Sequence, residues 1–110
     1  MSEIREQLPQ IHKLVVIARD ALDVDPYTSA AFIATVEEFL RKSQKAMRSL
    51  PGADDSALWE LVVELEQAGD SAKMAAWADK GIRSESRKAV LDAHEAICRL
   101  KIEQLATRPH

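Results

Sequence analysis

Three glycines and four prolines are the only strong backbone breakers in this 110-residue chain. An all-β domain needs turn chemistry roughly every ten residues, and this chain does not supply it. Between the breakers, apolar residues recur at i+3 and i+4, the spacing of one helix face. The chain therefore reads as an all-α, single-domain, bundle-like fold spanning 1–110, with frayed termini at 1–7 and 107–110. Four substantial helices and one short helix are expected.

Leu8, Ile11, Leu14, Val15, Ala18 and Leu22 mark a first helix over about 8–22. Asp25 is placed to cap a second helix and Pro26 to open it, because proline's fixed φ suits a first turn. Ser29, Phe32, Ile33, Val36, Phe39, Leu40, Ser43, Met47 and Leu50 carry that helix to Pro51-Gly52. Asp54, Asp55 and Ser56 are cap candidates for a third helix, with Leu58, Leu61, Val62 and Leu65 inward and Gly69 as its stop. Asp70 or Ser71 then caps a short helix over 72–80, ended by Gly81. Ser84 opens a last helix running to about 106.

Composition removes several classes. Charged residues make up 30% and hydrophobic residues 46%, enough apolar content for a core and too much for wholesale disorder. No apolar run approaches the ~18 residues that span a bilayer, so no membrane segment is expected. The start MSEIREQLPQ lacks the basic and apolar regions of a signal peptide, and the lone Cys98 forms no internal disulfide; both fit a cytoplasmic protein. A formal charge of −3 speaks against a dedicated nucleic-acid binder. The charges are segregated: Arg41, Lys42, Lys45 and Arg48 face an acidic run of Asp54, Asp55, Glu60, Glu64, Glu66 and Asp70 across one short loop. Surface complementarity inside a helical hairpin explains this arrangement.

The last helix constrains function most. On a helical wheel, Val90, Ala93, Ile97 and Leu100 form one apolar flank; Leu91, Cys98, Ile102 and Leu105 form another. Together they span roughly 200°, about twice what a surface helix needs to dock on one core. Such a helix is either central among its neighbours or buries its second flank against another chain, and a homodimer seam is the favoured reading. His94 and Lys101 fall near the middle of the sector and require polar partners. The first helix is also broad, with Leu14, Ile17 and Ala21 extending its apolar side. Trp77, in the Ala-rich AAWAD segment, is either a core plug or an exposed partner anchor, and Trp59 flanks the core.

Three chemistries were weighed. His94-Glu95-Ala96-Ile97-Cys98 approximates the zinc motif HExxH with cysteine in the last place, and His94 and Cys98 share a helix face. Only His12 and His110 remain to complete a histidine set, so neither metal nor cofactor is expected. His12-Lys13 invites comparison with histidine phosphotransfer bundles, but Leu14, Val15 and Val16 follow where a glycine is wanted. No nucleophile, base and orienting group fall together, so the chain is not expected to be an enzyme. Residues 72–92 approximate a helix-turn-helix, with Gly81, Ile82 and Val90 in place and Arg83, Arg87 and Lys88 for phosphates. Trp77 and Arg87 break that pattern.

The AAWADKGIRSESRKAV segment, the small acidic all-α layout and the long amphipathic last helix resemble the small bacterial quorum-sensing anti-activators. The likeness is one of overall layout and covers most of the chain. It implies a regulatory protein-binding module, not an enzyme, that binds a LuxR-type transcription activator and blocks its dimerisation and DNA binding. No family motif carries interface residues across. Those expected from the wheel are Leu91, Cys98, Ile102 and Leu105, with Trp77 beside them. A helix-turn-helix DNA-binding regulator using residues 72–92, or an immunity- or antitoxin-type partner protein, is the alternative.

Overall fold

The computed structural model describes residues 2–107. Four helices follow one another: α1 (Ser2–Asp23), α2 (Ala30–Ser49), α3 (Asp55–Ala78) and α4 (Ser84–Thr107). A single 3₁₀ turn over Leu50–Gly52 links α2 to α3. The all-α bundle read from the breakers is therefore the fold, and no strand occurs among the described residues. Each helix packs on its neighbours in the chain, and α1 against α4 closes the ring. Short links between long helices dictate this up-down-up-down order.

The expected apolar stripes form the core. Leu8, Ile11, Val15 and Ala18 of α1 meet Phe32, Val36 and Phe39 of α2 and Leu58, Val62 and Leu65 of α3. Val90, Ala93, Ile97 and Leu100 of α4 are fully buried among them. The basic and acidic segments of the central hairpin do pair, with Lys45 Nζ 2.9 Å from Glu64 and Lys42 Nζ 3.9 Å from the same carboxylate. Arg41 turns back one helical turn to Glu38 instead.

The boundaries differ from the sequence reading in four places. Helix α1 begins at Ser2, with Pro9 inside it, and Ile4 is buried, so 2–7 belong to the bundle. The Arg5 guanidinium explains part of this, since it donates to the carbonyls of Leu50 and Ala53 where α2 ends. Of the end assigned to 107–110, residues 108–110 lie outside the described residues. Second, α2 opens at Ala30 and not at Pro26: Ser29 is its cap, accepting from the Phe32 N–H at 3.1 Å.

Third, Asp25 leaves α2 altogether and binds the other end of the chain. Its buried carboxylate accepts from the Arg83 N–H at 2.9 Å, the Ser86 hydroxyl at 2.7 Å and the Tyr27 N–H at 2.9 Å. Asp79 reciprocates, accepting from the Ser29 N–H at 2.9 Å. These two carboxylates tie the α1–α2 and α3–α4 links together at one end of the bundle. Fourth, Gly69 does not stop α3. The helix runs from its Asp54 cap through Gly69 to Ala78, absorbing the expected short helix. A mid-helix glycine costs only about 1 kcal/mol, which the buried residues on either side outweigh. A Cβ at this position would lie 3.1 Å from Phe39 Cζ and 3.4 Å from His94 Cδ2, so the glycine lets both rings approach the α3 backbone.

Candidate functional site

A continuous α3 places Glu66, Asp70, Lys73 and Trp77 at i+3 and i+4 along one edge. The antiparallel α4 answers with Arg87, Leu91, His94, Cys98, Lys101 and Leu105 along its facing edge. In order down the seam, Arg87 donates to the Ala76 carbonyl at 3.2 Å and the Asp79 carbonyl at 3.0 Å, and its guanidinium lies 5.8 Å from the Trp77 ring centroid. His94 Nε2 then meets Asp70 Oδ1 at 2.6 Å, and Lys101 Nζ meets Glu66 at 3.3 Å. The partners that His94 and Lys101 require thus come from α3 of the same chain.

The five residues chosen from the wheel fall on this one side of the molecule. Leu91 and Cys98 are half-buried, whereas Ile102 is 66% exposed, Leu105 46% and Trp77 58%. Trp77 is therefore not a core plug: it is exposed on the outside of the seam, with the Arg87 guanidinium over its ring. Met74, one turn from Trp77, is 70% exposed. Four of the eight large exposed hydrophobics among the described residues, Met74, Trp77, Ile102 and Leu105, belong to the α3–α4 side. The others are divided among α1, α2 and the α1–α2 link. Ile17, on the broad side of α1, lines a shallow groove with Leu14 and Ala89.

At the centre of the seam lies a group of three potential metal ligands. Asp70, His94 and Cys98 each turn a donor atom to a common point, and the three atoms lie within 4.8 Å of one another. Cys98 Sγ is 3.3 Å from His94 Nε2 and 3.9 Å from Nδ1. The imidazole is almost covered, with 12% of its side chain exposed, while Asp70 opens to solvent. Burial pushes the Cys98 thiol above its ordinary pKa, and the Asp70 and Glu66 carboxylates push it further, against the pull of Lys73 and Lys101.

This geometry is not that of a cysteine nucleophile. A Cys-His-Asp relay needs the orienting carboxylate on one ring nitrogen and the thiol on the other. Here both approach Nε2 most closely, and the thiol is held protonated instead of activated. His12 is likewise drawn into the fold: its Nδ1 lies 2.9 Å from Ser43 Oγ, which itself donates to the Leu40 carbonyl. The helix-turn-helix candidate uses Arg87 to hold the end of α3 and not to present a free cation.

Asp70 is the functional candidate hidden in the sequence, where Gly69 reads as a stop and Asp70 or Ser71 as the next cap. The signal was present: with the helix continued, Glu66, Asp70, Lys73 and Trp77 fall on one edge, opposite His94 and Cys98. Comparison with protein-family models, with curated proteins and with solved structures finds no match to this chain.

Proposed function

We propose that the protein is a small regulatory protein-binding module that uses the outer α3–α4 side as its docking face. The observation that supports this reading is the leftover apolar flank of α4, where Ile102 and Leu105 stand exposed towards one end of the α3–α4 side, with Trp77 and Met74 exposed towards the other. Exposed aromatic and branched side chains grouped on one face are the usual anchors of protein interfaces. Two copies joined through this flank give a homodimer. The resemblance to quorum-sensing anti-activators adds a target: a LuxR-type transcription activator, whose own dimer surface the face would cover, keeping it from promoter DNA. We read the chain as a binding protein and not as an enzyme, in keeping with the protonated Cys98 thiol and the absence of a relay at His94.

The test is a promoter-retardation assay with a purified LuxR-type activator. Added protein should reduce the activator–DNA complex, and Ile102→Glu should lose that effect while its helical circular dichroism persists. An activator–DNA complex that survives a stoichiometric excess of protein contradicts the target. Retardation of the DNA by this protein itself, lost on Arg83→Ala, contradicts the reading in favour of a DNA-binding regulator.

A further inference from the structure

We propose that Asp70, His94 and Cys98 form a zinc-binding site that staples α3 to α4. Tetrahedral zinc bonds to Cys sulfur at about 2.3 Å, His nitrogen at about 2.0–2.1 Å and carboxylate oxygen at about 2.0–2.2 Å. Ligand atoms around such an ion are therefore roughly 3.3–3.6 Å apart. His94 Nε2 is 2.6 Å from Asp70 Oδ1 and 3.3 Å from Cys98 Sγ, and the full set lies within 4.8 Å. The Nε2–Oδ1 pair must widen by roughly 0.7 Å to admit the ion, a movement open to the exposed Asp70 side chain.

Three features favour zinc over other occupants. Asp70 Oδ1 at 2.6 Å and Cys98 Sγ at 3.3 Å both approach the same ring nitrogen, so an ion bound at Nε2 is within reach of both. One thiolate, one imidazole and one carboxylate form a borderline-soft set, unlike the six or more oxygens that calcium and magnesium require. His94 is fixed by its packing against Gly69 and by its i+4 relation to Cys98 on one helix, so two of the ligands are rigidly placed.

On binding, the Cys98 S–H proton leaves to solvent and the sulfur bonds the ion as thiolate. The imidazole, whose Nε2–H donates to Asp70 in the metal-free protein, moves that proton to Nδ1 and binds through the freed Nε2 lone pair, so the Nε2–Asp70 hydrogen bond is replaced by two metal bonds. Lys73 and Lys101 flank the site, with Lys101 held by Glu66 at 3.3 Å. Three protein ligands leave a fourth position on the solvent side, next to exposed Asp70, for water. Binding weakens as pH falls, because protons compete for the sulfur and the imidazole.

The site stands independently of the docking reading and is tested on the purified full chain with zinc and cobalt(II) as probes. Cobalt(II) should give a thiolate-to-metal charge-transfer band, and zinc should displace it at one equivalent per chain. Loss of even an outer-shell partner costs 10–100-fold in affinity, so Cys98→Ser and Asp70→Asn should each weaken zinc by roughly 100-fold or more. His12→Ala serves as the control and should change nothing. Zinc should also raise the Tm of the wild type and not that of Cys98→Ser. No thiolate band, or zinc affinity equal in the wild type, Cys98→Ser and Asp70→Asn, overturns the proposal. Both variants alter half-buried or exposed side chains, and circular dichroism verifies that they are folded.

Discussion

The two apolar flanks of α4 look alike in sequence and have opposite fates. Val90, Ala93, Ile97 and Leu100 are completely buried by α1, α2 and α3. Leu91 and Cys98 are only half-covered, and Ile102 and Leu105 are mostly in solvent. A ring of four helices can surround one flank of a member and no more, since α4 has one helix on each side and the core between them. The second flank is left over as surface. Hydrophobic periodicity identifies a sector, and the number of neighbours decides how much of it is buried.

That contrast is sharpest in stability. Ile97→Ala should cost about 2–5 kcal/mol, because its site is enclosed on all sides and cannot collapse. Denaturant unfolding measures this, and a loss below about 1 kcal/mol would mean the inner flank is no better packed than the outer.

The polar end of the bundle comes next. Asp25→Ala strands the Arg83 N–H and the Ser86 hydroxyl and should lower Tm by roughly 5–10 °C. The Arg83 N–H, helped by Ser86 and Tyr27, holds the Asp25 carboxyl below the usual range despite its burial. The Ser29 N–H does the same for Asp79, and the Lys45 ammonium for Glu64. A carboxyl with a lowered folded pKa adds stability that is complete above its unfolded value, about 4, and is lost as pH falls through the folded value. Thermal melts taken into the acid range should therefore lose Tm below about pH 4, and Asp25→Asn should flatten that loss.

The smallest change should come from the outer flank. Ile102→Ala, in dilute solution where the protein is monomeric, should shift stability by within about 0.5 kcal/mol. A loss as large as that of Ile97→Ala would place Ile102 in the core and end the distinction between the flanks.

Much of this architecture was legible beforehand. The stripes of α1, α2 and α3, the Asp54 cap and the start of α4 at Ser84 all follow from spacing and capping chemistry. The differences share one cause: tertiary contacts outweigh local breakers in this chain. Gly69 looks like a stop until Phe39 and His94 are seen pressed against it. The stretch 1–7 reads as a frayed terminus until Ile4 and Arg5 are seen anchoring the first turns. Asp25 looks like a cap for α2, yet its partners lie 58 and 61 residues away, at Arg83 and Ser86. The same cause conceals Asp70, whose role exists only once α3 is continuous. The flank residues of α4 were legible as a group, because they depend on a helix that no breaker interrupts.

Docking through the outer flank of α4 is the proposal on which the function rests. Its most direct measurement is the mass of the purified protein by light scattering across a concentration series, for the wild type and for Ile102→Glu. Docking through this flank requires a wild-type dimer and a folded Ile102→Glu monomer, with dimer affinity weakened by about 30-fold or more. A wild type that stays monomeric at every concentration, or an Ile102→Glu protein that dimerises equally well, would contradict it.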